Sequence, residues 1–530
     1  MGSGAHRAGS TLLRRLAATA VSRHLHALVV PGPEVLRARR LDLEGLGVAI
    51  AASPRHADVL IVVGALPGHL RDAAAVAYAQ MPRPRAILAI DAPDISPLPG
   101  SRITAKGSQT DLAAAVRTLR DRFARDAFAE RAGDSGAHGG GRGDAHGDAQ
   151  GDEQDGSHGG AHGGAHADGH GDGHDGRHGN GHGNGHGGHG SMGFMSMLEV
   201  TRDLPRGRDG LPMDRSDVPF GPLFPGLPGG LLLTLTLAGD SVTGLRAGSA
   251  TGPRPRLLAS GMRAAAFVDQ LSALDPLAPV AYRLLACRAL EAAAGSAPTG
   301  DETGLRIAAL ERERAASHLS WLWQLGRQLG LARLRRRAAR LQRSVLESGP
   351  EALARLVPEA LDLQRRLERT PLLRARLAGI GRTAADGLRG PAARAAGRDQ
   401  DARNDERTYA ALGFAPVRRE AGDALARLQL RLDEIVQSLA LAAAPAAMPT
   451  LAPDALGALS GSGDGAVETS RGEARLHVRL EDGLVTAARL DAPSARCLDL
   501  LPDLATGLEL GDALVMVGSF DISPWEAGAA

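Results

Sequence analysis

Thiols are nearly absent from this chain. Cys287 and Cys497 are the only cysteines in 530 residues, and their separation supports no disulfide framework. Both read as reduced, buried and inert. Two thiolates also cannot hold an iron–sulfur cluster, which takes four. Lysine is scarcer still: Lys106 stands alone, so the basic charge is arginine. Aromatic residues make up 3% of the chain, so a core must be built from Leu, Val and Ala. A net charge of +1 argues against a general nucleic-acid binder. No apolar run reaches about 18 residues, so no membrane-spanning helix is expected. The stretch Met1 to His24 has no continuous apolar region ending in a small-residue cleavage site. The expectation is a cytoplasmic protein that meets a membrane only through partners.

What is present falls into three blocks, in keeping with the three or four domains that the length suggests. The first, residues 27–131, alternates β and α signals. "VAIAA" (48–52), "DVLIVVGA" (58–65) and "AILAID" (86–91) are short apolar runs of the kind buried in a parallel sheet. "HLRDAAAVAYAQM" (69–81) reads as a helix stopped by Pro82 and Pro84, and residues 111–128 as a second, amphipathic one. The pattern predicts a small α/β domain with a parallel sheet.

The second block, residues 136–190, is Gly-rich with histidine at every fourth position: His158, His162, His166, His170, His174, His178, His182 and His186. On a helix these would share a face, but the intervening glycines make a helix improbable, and a disordered tether is expected. Imidazole suits nickel and zinc, so the tether can bind Ni or Zn weakly. A solvated spacer is the plainer reading.

The third block, residues 218–530, opens with an alternating hairpin, "LLLTLTLAGDSVTGLRAG", turning at Gly239-Asp240. Helices are predicted over 279–294, 305–329 and 421–442, with shorter helical pieces over 331–377 punctuated by Pro350, Pro358 and Pro371. A second hairpin turns at Asp482-Gly483. The large domain is therefore expected to be α+β, a helical bundle with flanking β-hairpins.

Particular stretches resemble two subunits of one family. "ASPRHADVLIVVG" (52–64) and "YAQMPRPRAILAI" (78–90) are similar to the cluster-carrying small subunit of respiratory complex I and of the membrane-bound group 4 NiFe-hydrogenases. "VPFGPLFPGLPGGLLLTLTLAGD" (218–240), "LERERAASHLSWLWQLG" (310–326), "GPAARAAGRDQDARNDERTYAALGF" (390–414), "VETSRGEARLHVRLEDG" (467–483) and "GDALVMVGSFDISPWEAG" (511–528) resemble the large subunit. The resemblance implies a [4Fe–4S] cluster, yet its cysteine positions fall on 29–34, 91–94 and 105–111, where no thiol stands. The two nickel motifs fall on 274–278 and 521–524, again without cysteine. Neither cluster nor nickel–iron centre is therefore expected in this chain.

The same resemblance points to a degenerate quinone cavity. The relatives' G-P-x-H-P-x-x-H-G loop matches residues 221–229, with Phe224 and Pro228 at its two histidine positions. The tyrosine that partners the quinone matches Gln270, or Pro276 if the count runs back without gaps from Glu291. A quinone could enter such a cavity without being positioned for reduction. His318 reads as a hydrogen-bonded interface histidine. Arg394, Arg398, Asp401, Arg403 and Asp405 read as a buried, mutually paired cluster, equally a functional remnant or a scaffold.

By resemblance the chain is a subunit of a membrane-associated NADH:quinone oxidoreductase-like or group 4 hydrogenase-like complex. It would sit on the cytoplasmic side of the membrane, docked on antiporter-like membrane subunits, as a structural or coupling element. Two alternatives are retained quinone-linked activity with electrons from a partner, and Ni or Zn storage by the tether.

Overall fold

The computed structural model describes residues 22–100, 102–125, 214–251, 261–384, 387–450 and 460–528. The histidine-rich stretch 136–190 lies outside them, and so do its eight candidate metal ligands.

The first part begins with β1 (His26–Val30), α1 (Pro33–Ala38), β2 (Ala49–Ile50) and β3 (Val59–Val63). It continues with α2 (Gly68–Gln80), β4 (Ala86–Ile90), β5 (Ile103–Ala105) and α3 (Gln109–Ala124). The five strands form one parallel sheet in the order β2-β1-β3-β4-β5. β3 and β4 are buried along their whole length, as continuous apolar runs in a two-faced sheet require. One face is closed by α1 and α3 through Val35, Leu36, Leu112, Val116, Leu119 and Phe123. The other is closed by α2 through Leu70, Ala74 and Tyr78, together with Trp525 from the far end of the chain. Ser108 caps α3 by accepting from the Asp111 N–H.

The remaining part opens with β6 (Arg215–Phe220), β7 (Leu231–Ala238) and β8 (Ser241–Ser249), an antiparallel three-stranded sheet. After β9 (Met262–Arg263) come α4 (Ala264–Ser272), α5 (Pro279–Ala294) and α6 (Gly300–Gln328), the last opened by a Thr299–Glu302 capping box. The shorter helices are α7 (Ala332–Glu347), α8 (Pro350–Ala354), α9 (Val357–Glu368), α10 (Leu373–Leu377), α11 (Gly390–Arg394) and α12 (Arg407–Ala411). Pro350 and Pro358 each stand in a first turn, where a missing N–H costs nothing. α13 (Ala424–Leu441) then runs through the core beside α6.

The chain finishes with β10 (Gly461–Glu468), β11 (Glu473–Glu481), β12 (Leu484–Asp491), α14 (Pro493–Ala505), α15 (Leu510–Ser519) and α16 (Pro524–Ala527). These last strands and β9 form an antiparallel sheet, β10-β11-β12-β9, whose buried face packs on α5. Among the described residues no helix is long and apolar enough to cross a membrane. The helical region with its hairpins is as expected, and the two parts belong to one compact unit.

Candidate functional site

In a parallel sheet whose strand order reverses, ligands sit beyond the carboxyl ends of the strands. At that edge β1 delivers Pro31–Glu34, β4 delivers Asp91–Asp94 and β5 leads into Lys106. These are the stretches onto which the cluster motifs fall, so the residues present can be tested against that group. Glu34 is buried and accepts the Gly229 N–H at 2.8 Å. Burial pushes its carboxyl up, and its other oxygen has no partner among the described residues. Asp91 takes the Gly107 N–H at 3.2 Å and lies 3.4 Å from Arg39, while Asp94 pairs with Arg71. The donors are carboxylates rather than thiols, Asp91 and Asp94 are already engaged, and no group of three metal-ligating side chains occurs among the described residues. The site does not fit an iron–sulfur cluster. It is also closed from above: a Cβ on Gly229 would run into the Pro31 carbonyl and the Gly32 nitrogen.

The two nickel-motif segments do come together, around a guanidinium. Arg471 reaches Asp275 at 3.1 Å, the Asp521 carbonyl at 2.9 Å and Glu526 at 3.7 Å. Burial acts against its charge, but Asp521, Asp275 and Glu526 outweigh it and hold the proton firmly. Burial raises Glu526 to about 7. Arg427 and Arg431 of α13 fix the segment leading there by donating to the Ser519 Oγ and to the Ser519 and Phe520 carbonyls. Burial lowers Arg427 to about 9. With its carboxylates gathered around arginine and Cys497 the one thiol nearby, buried and far from thiolate character, this place does not fit a nickel–iron centre either.

Between these two places lies a cavity of about 20 Å³, bordered by Glu34, Pro228, Gln324, Gln328, Arg471 and Asp521. That is room for one water molecule, far below the roughly 300 Å³ or more of an organic ligand pocket. Pro228 borders it, but Phe224 stands at a neighbouring crevice, 36% exposed and edge-on to Phe220. Gln270 is exposed on α4 and borders neither. Phe224, Pro228 and Gln270 thus do not line a common cavity among those described. α4 turns Phe267, Val268 and Leu271 inward, which directs Gln270 to solvent. Pro276, the position given by the gap-free count, borders with Leu277 a second cavity of about 310 Å³, together with Ala316, Leu346 and Met448. Its polar lining includes Arg40, Arg312, Gln342 and Glu313, the last accepting the Val280 and Ala281 N–H groups and pushed up to about 8 by burial.

Beside both cavities, α6, α13, α11 and β10 enclose a network of ions. Arg394 meets Glu434 at 2.7 Å, Glu468 at 2.8 Å and Asp401 at 3.0 Å. Arg403 meets Asp401 at 2.7 Å and Glu434 at 3.1 Å. Arg314 meets Glu311 at 3.1 Å, which also accepts from Tyr409 and Ser438. Three guanidinium groups thus face four carboxylates, all buried. Burial raises Glu468, helped by Asp401 and opposed by Arg394. Asp401 is held down to about 2 because Arg394 and Arg403 outweigh its burial.

His318 lies inside this network, its Nε2 3.0 Å from Glu434, and burial lowers it to about 4. It is thus neutral, and Nε2 donates. Its partner is α13 rather than the first part of the chain, so the reading of an interface histidine is corrected to one in the core. Arg398 and Asp405 are exposed, so only Arg394, Asp401 and Arg403 of the five predicted charges are buried. Cys287 and Cys497 are buried and pushed up to about 11 and 12, far from thiolate character.

Glu34, Glu311, Glu434, Glu468 and Arg471 escaped the reading of the sequence. A signal for two of them exists: Arg427, Arg431, Glu434 and Ser438 recur at helical spacing on α13, as do Glu311, Arg314 and His318 on α6. Each is a polar stripe on an otherwise buried helix.

The family profile described as respiratory-chain NADH dehydrogenase, 49 Kd subunit, matches residues 337–453. An NADH-quinone oxidoreductase subunit of Geobacillus thermodenitrificans is 27% identical over 311 residues, covering 50% of this chain and 85% of that protein. The probable membrane-bound hydrogenase subunit mbhJ of Pyrococcus furiosus is 40% identical over 53 residues, 10% of this chain and 32% of that protein. Among solved structures, a chain of the membrane-bound sulfane sulfur reductase, an archaeal respiratory membrane complex, superposes with a TM-score of 0.54 at 19% identity. That match covers 59% of this chain and 98% of the other and speaks for the fold. The chain is a complex I-like and group 4 hydrogenase-like protein, with small-subunit-like and large-subunit-like parts in one polypeptide and without the cysteines of the cluster and nickel motifs.

Proposed function

We propose that this chain is a peripheral subunit of a membrane-associated complex of the NADH:quinone oxidoreductase or group 4 hydrogenase type. In it the chain acts as a structural or coupling element without a metal centre of its own. It docks on antiporter-like membrane subunits at the cytoplasmic face. The likeness to subunits of membrane respiratory complexes supports the assembly. One observation carries the redox-free role: both motif sites are occupied by paired carboxylates and arginine, Glu34 on Gly229 at one and Arg471 on Asp275 and Asp521 at the other. Ionic contacts of this kind hold segments in register, and neither place offers the set of thiolates that such a centre takes.

The test is to isolate the chain with its membrane partners and record metal content with low-temperature EPR. Expected is no iron or nickel signal assignable to this chain. A cluster signal that vanishes when Asp91 and Asp94 are changed to Ala would reverse the reading.

A second reading is favoured by the cavity of about 310 Å³ at Leu277 and Met448, whose walls are mostly apolar. It takes an apolar ring compound such as a quinone, with Glu313, Arg312 and Gln342 among its polar neighbours. Titration with decylubiquinone, followed by tryptophan fluorescence, separates the two. Binding abolished by Leu277→Trp supports occupancy, whereas identical curves for the wild type and this variant rule it out.

A further inference from the structure

A third opening of about 400 Å³ lies between α1, the loop Arg40–Gly45 and the face of α7. Its walls carry Arg37, Arg40, Arg336, Arg340 and Arg343 against two carboxylates, Asp42 and Glu44. Both carboxylates are already taken: Asp42 pairs with Arg343, and Glu44 lies 3.5 Å from Arg335. Among the described residues the guanidinium groups of Arg40, Arg336 and Arg340 have no partner, and all three are exposed.

Arg37 forms the floor. It stacks on Trp323 at 4.6 Å and donates to Gln342, while its Nε is shielded from solvent and without a partner. Burial pushes Arg37 down to about 9 against the pull of Glu44 and Glu34, with Arg335 and Arg343 adding smaller repulsions. Arg40 is held at the mouth with φ of 64°, a backbone setting that non-glycine residues rarely adopt. The surplus is regional as well: residues 331–376 carry twelve arginines against five carboxylates, in a chain whose net charge is +1.

We infer that this cleft binds a phosphate-bearing anion of two or more charges. Guanidinium forks match phosphate oxygens two at a time, and several on facing elements select a compact polyanion over a single carboxylate. The volume lies in the range of small-ligand sites. A soluble phosphate ester and the headgroup of an anionic phospholipid share this chemistry.

Calorimetric titration of the full-length chain with pyrophosphate, and sedimentation with phosphatidylglycerol or phosphatidylcholine vesicles, distinguish the sources. The comparison is wild type, R336A/R340A, and R369A/R374A, which removes the same charge from exposed positions outside the cleft. Expected is a loss of at least about tenfold in pyrophosphate affinity for R336A/R340A, the scale of one charge-assisted contact, and less than about twofold for R369A/R374A. Retention on phosphatidylglycerol vesicles alone, with the same ranking of variants, identifies a lipid headgroup as the source. The inference is overturned if the wild type binds neither probe, or if both double variants weaken binding equally.

Discussion

Arg394 shows what a single side chain does in this core. Its guanidinium touches Glu434, Glu468 and Asp401 with none of its surface exposed. Arg394→Met leaves those carboxylates facing one another where water cannot screen them. Removing one member of a buried ionic set costs about 3–5 kcal/mol, so a clear drop in the thermal midpoint by scanning calorimetry is expected; an unchanged midpoint would mean that solvent reaches the network.

His318 supplies the pH dependence. Its ordinary value is 6.5 and its value in the fold about 4, set by burial against the pull of Glu434, with Arg431 and Arg314 opposing protonation. Between these limits the unfolded chain takes up a proton that the folded chain refuses. Its contribution is therefore complete above pH 6.5 and lost as pH falls toward 4, amounting to roughly 3 kcal/mol. His318→Gln should show a shallower loss of stability over that window, and parallel pH curves for the two proteins would sink the assignment.

At the scale of elements, β10 is built to let a helix approach. Gly461, Gly463 and Gly465 alternate along it, and a Cβ on any of them would strike the backbone of α5. Gly463→Val is expected to destabilise by about 1–3 kcal/mol through overpacking, measured by urea unfolding; a smaller loss would mean that α5 shifts at little cost.

The same glycines explain why β10 was invisible in sequence. Glycine is depleted from strands, and "GSGDGAVE" offers neither a run of branched side chains nor a clear alternation. Elements with strong periodicity were legible: α5 spans the predicted 279–294, and both hairpins turn where expected. α6 begins five residues earlier than predicted, because the Thr299–Glu302 box extends it through polar residues. The site was less legible. Which charges of residues 394–405 turn inward depends on α13 and β10, which lie far away in sequence. Glu34 became meaningful only when the loop at Gly229 was seen against it.

For the whole molecule, the two parts share side chains as one domain does. Glu34 is capped by Gly229, Arg327 donates to the Ala51 carbonyl, and Trp525 completes a core that belongs to the first sheet. Trp525→Ala removes a side chain that is 6% exposed. A cost of about 3–5 kcal/mol is expected, read out as faster proteolysis within residues 27–125 as well as near the substitution. Damage confined to the neighbourhood of Trp525 would show that the two parts hold together by other means.

Trp525 also sets an order for synthesis. A ribosome makes chain at about 5–20 residues per second, and early domains ordinarily fold as they emerge. Here the core formed by Leu28, Leu60 and Ile87 of the first sheet and Leu70 of α2 is left without its tryptophan until translation has passed through the whole helical region. During that interval the nascent chain presents an apolar surface to the cell, and the amount of native protein should follow the supply of chaperones that shield such surfaces.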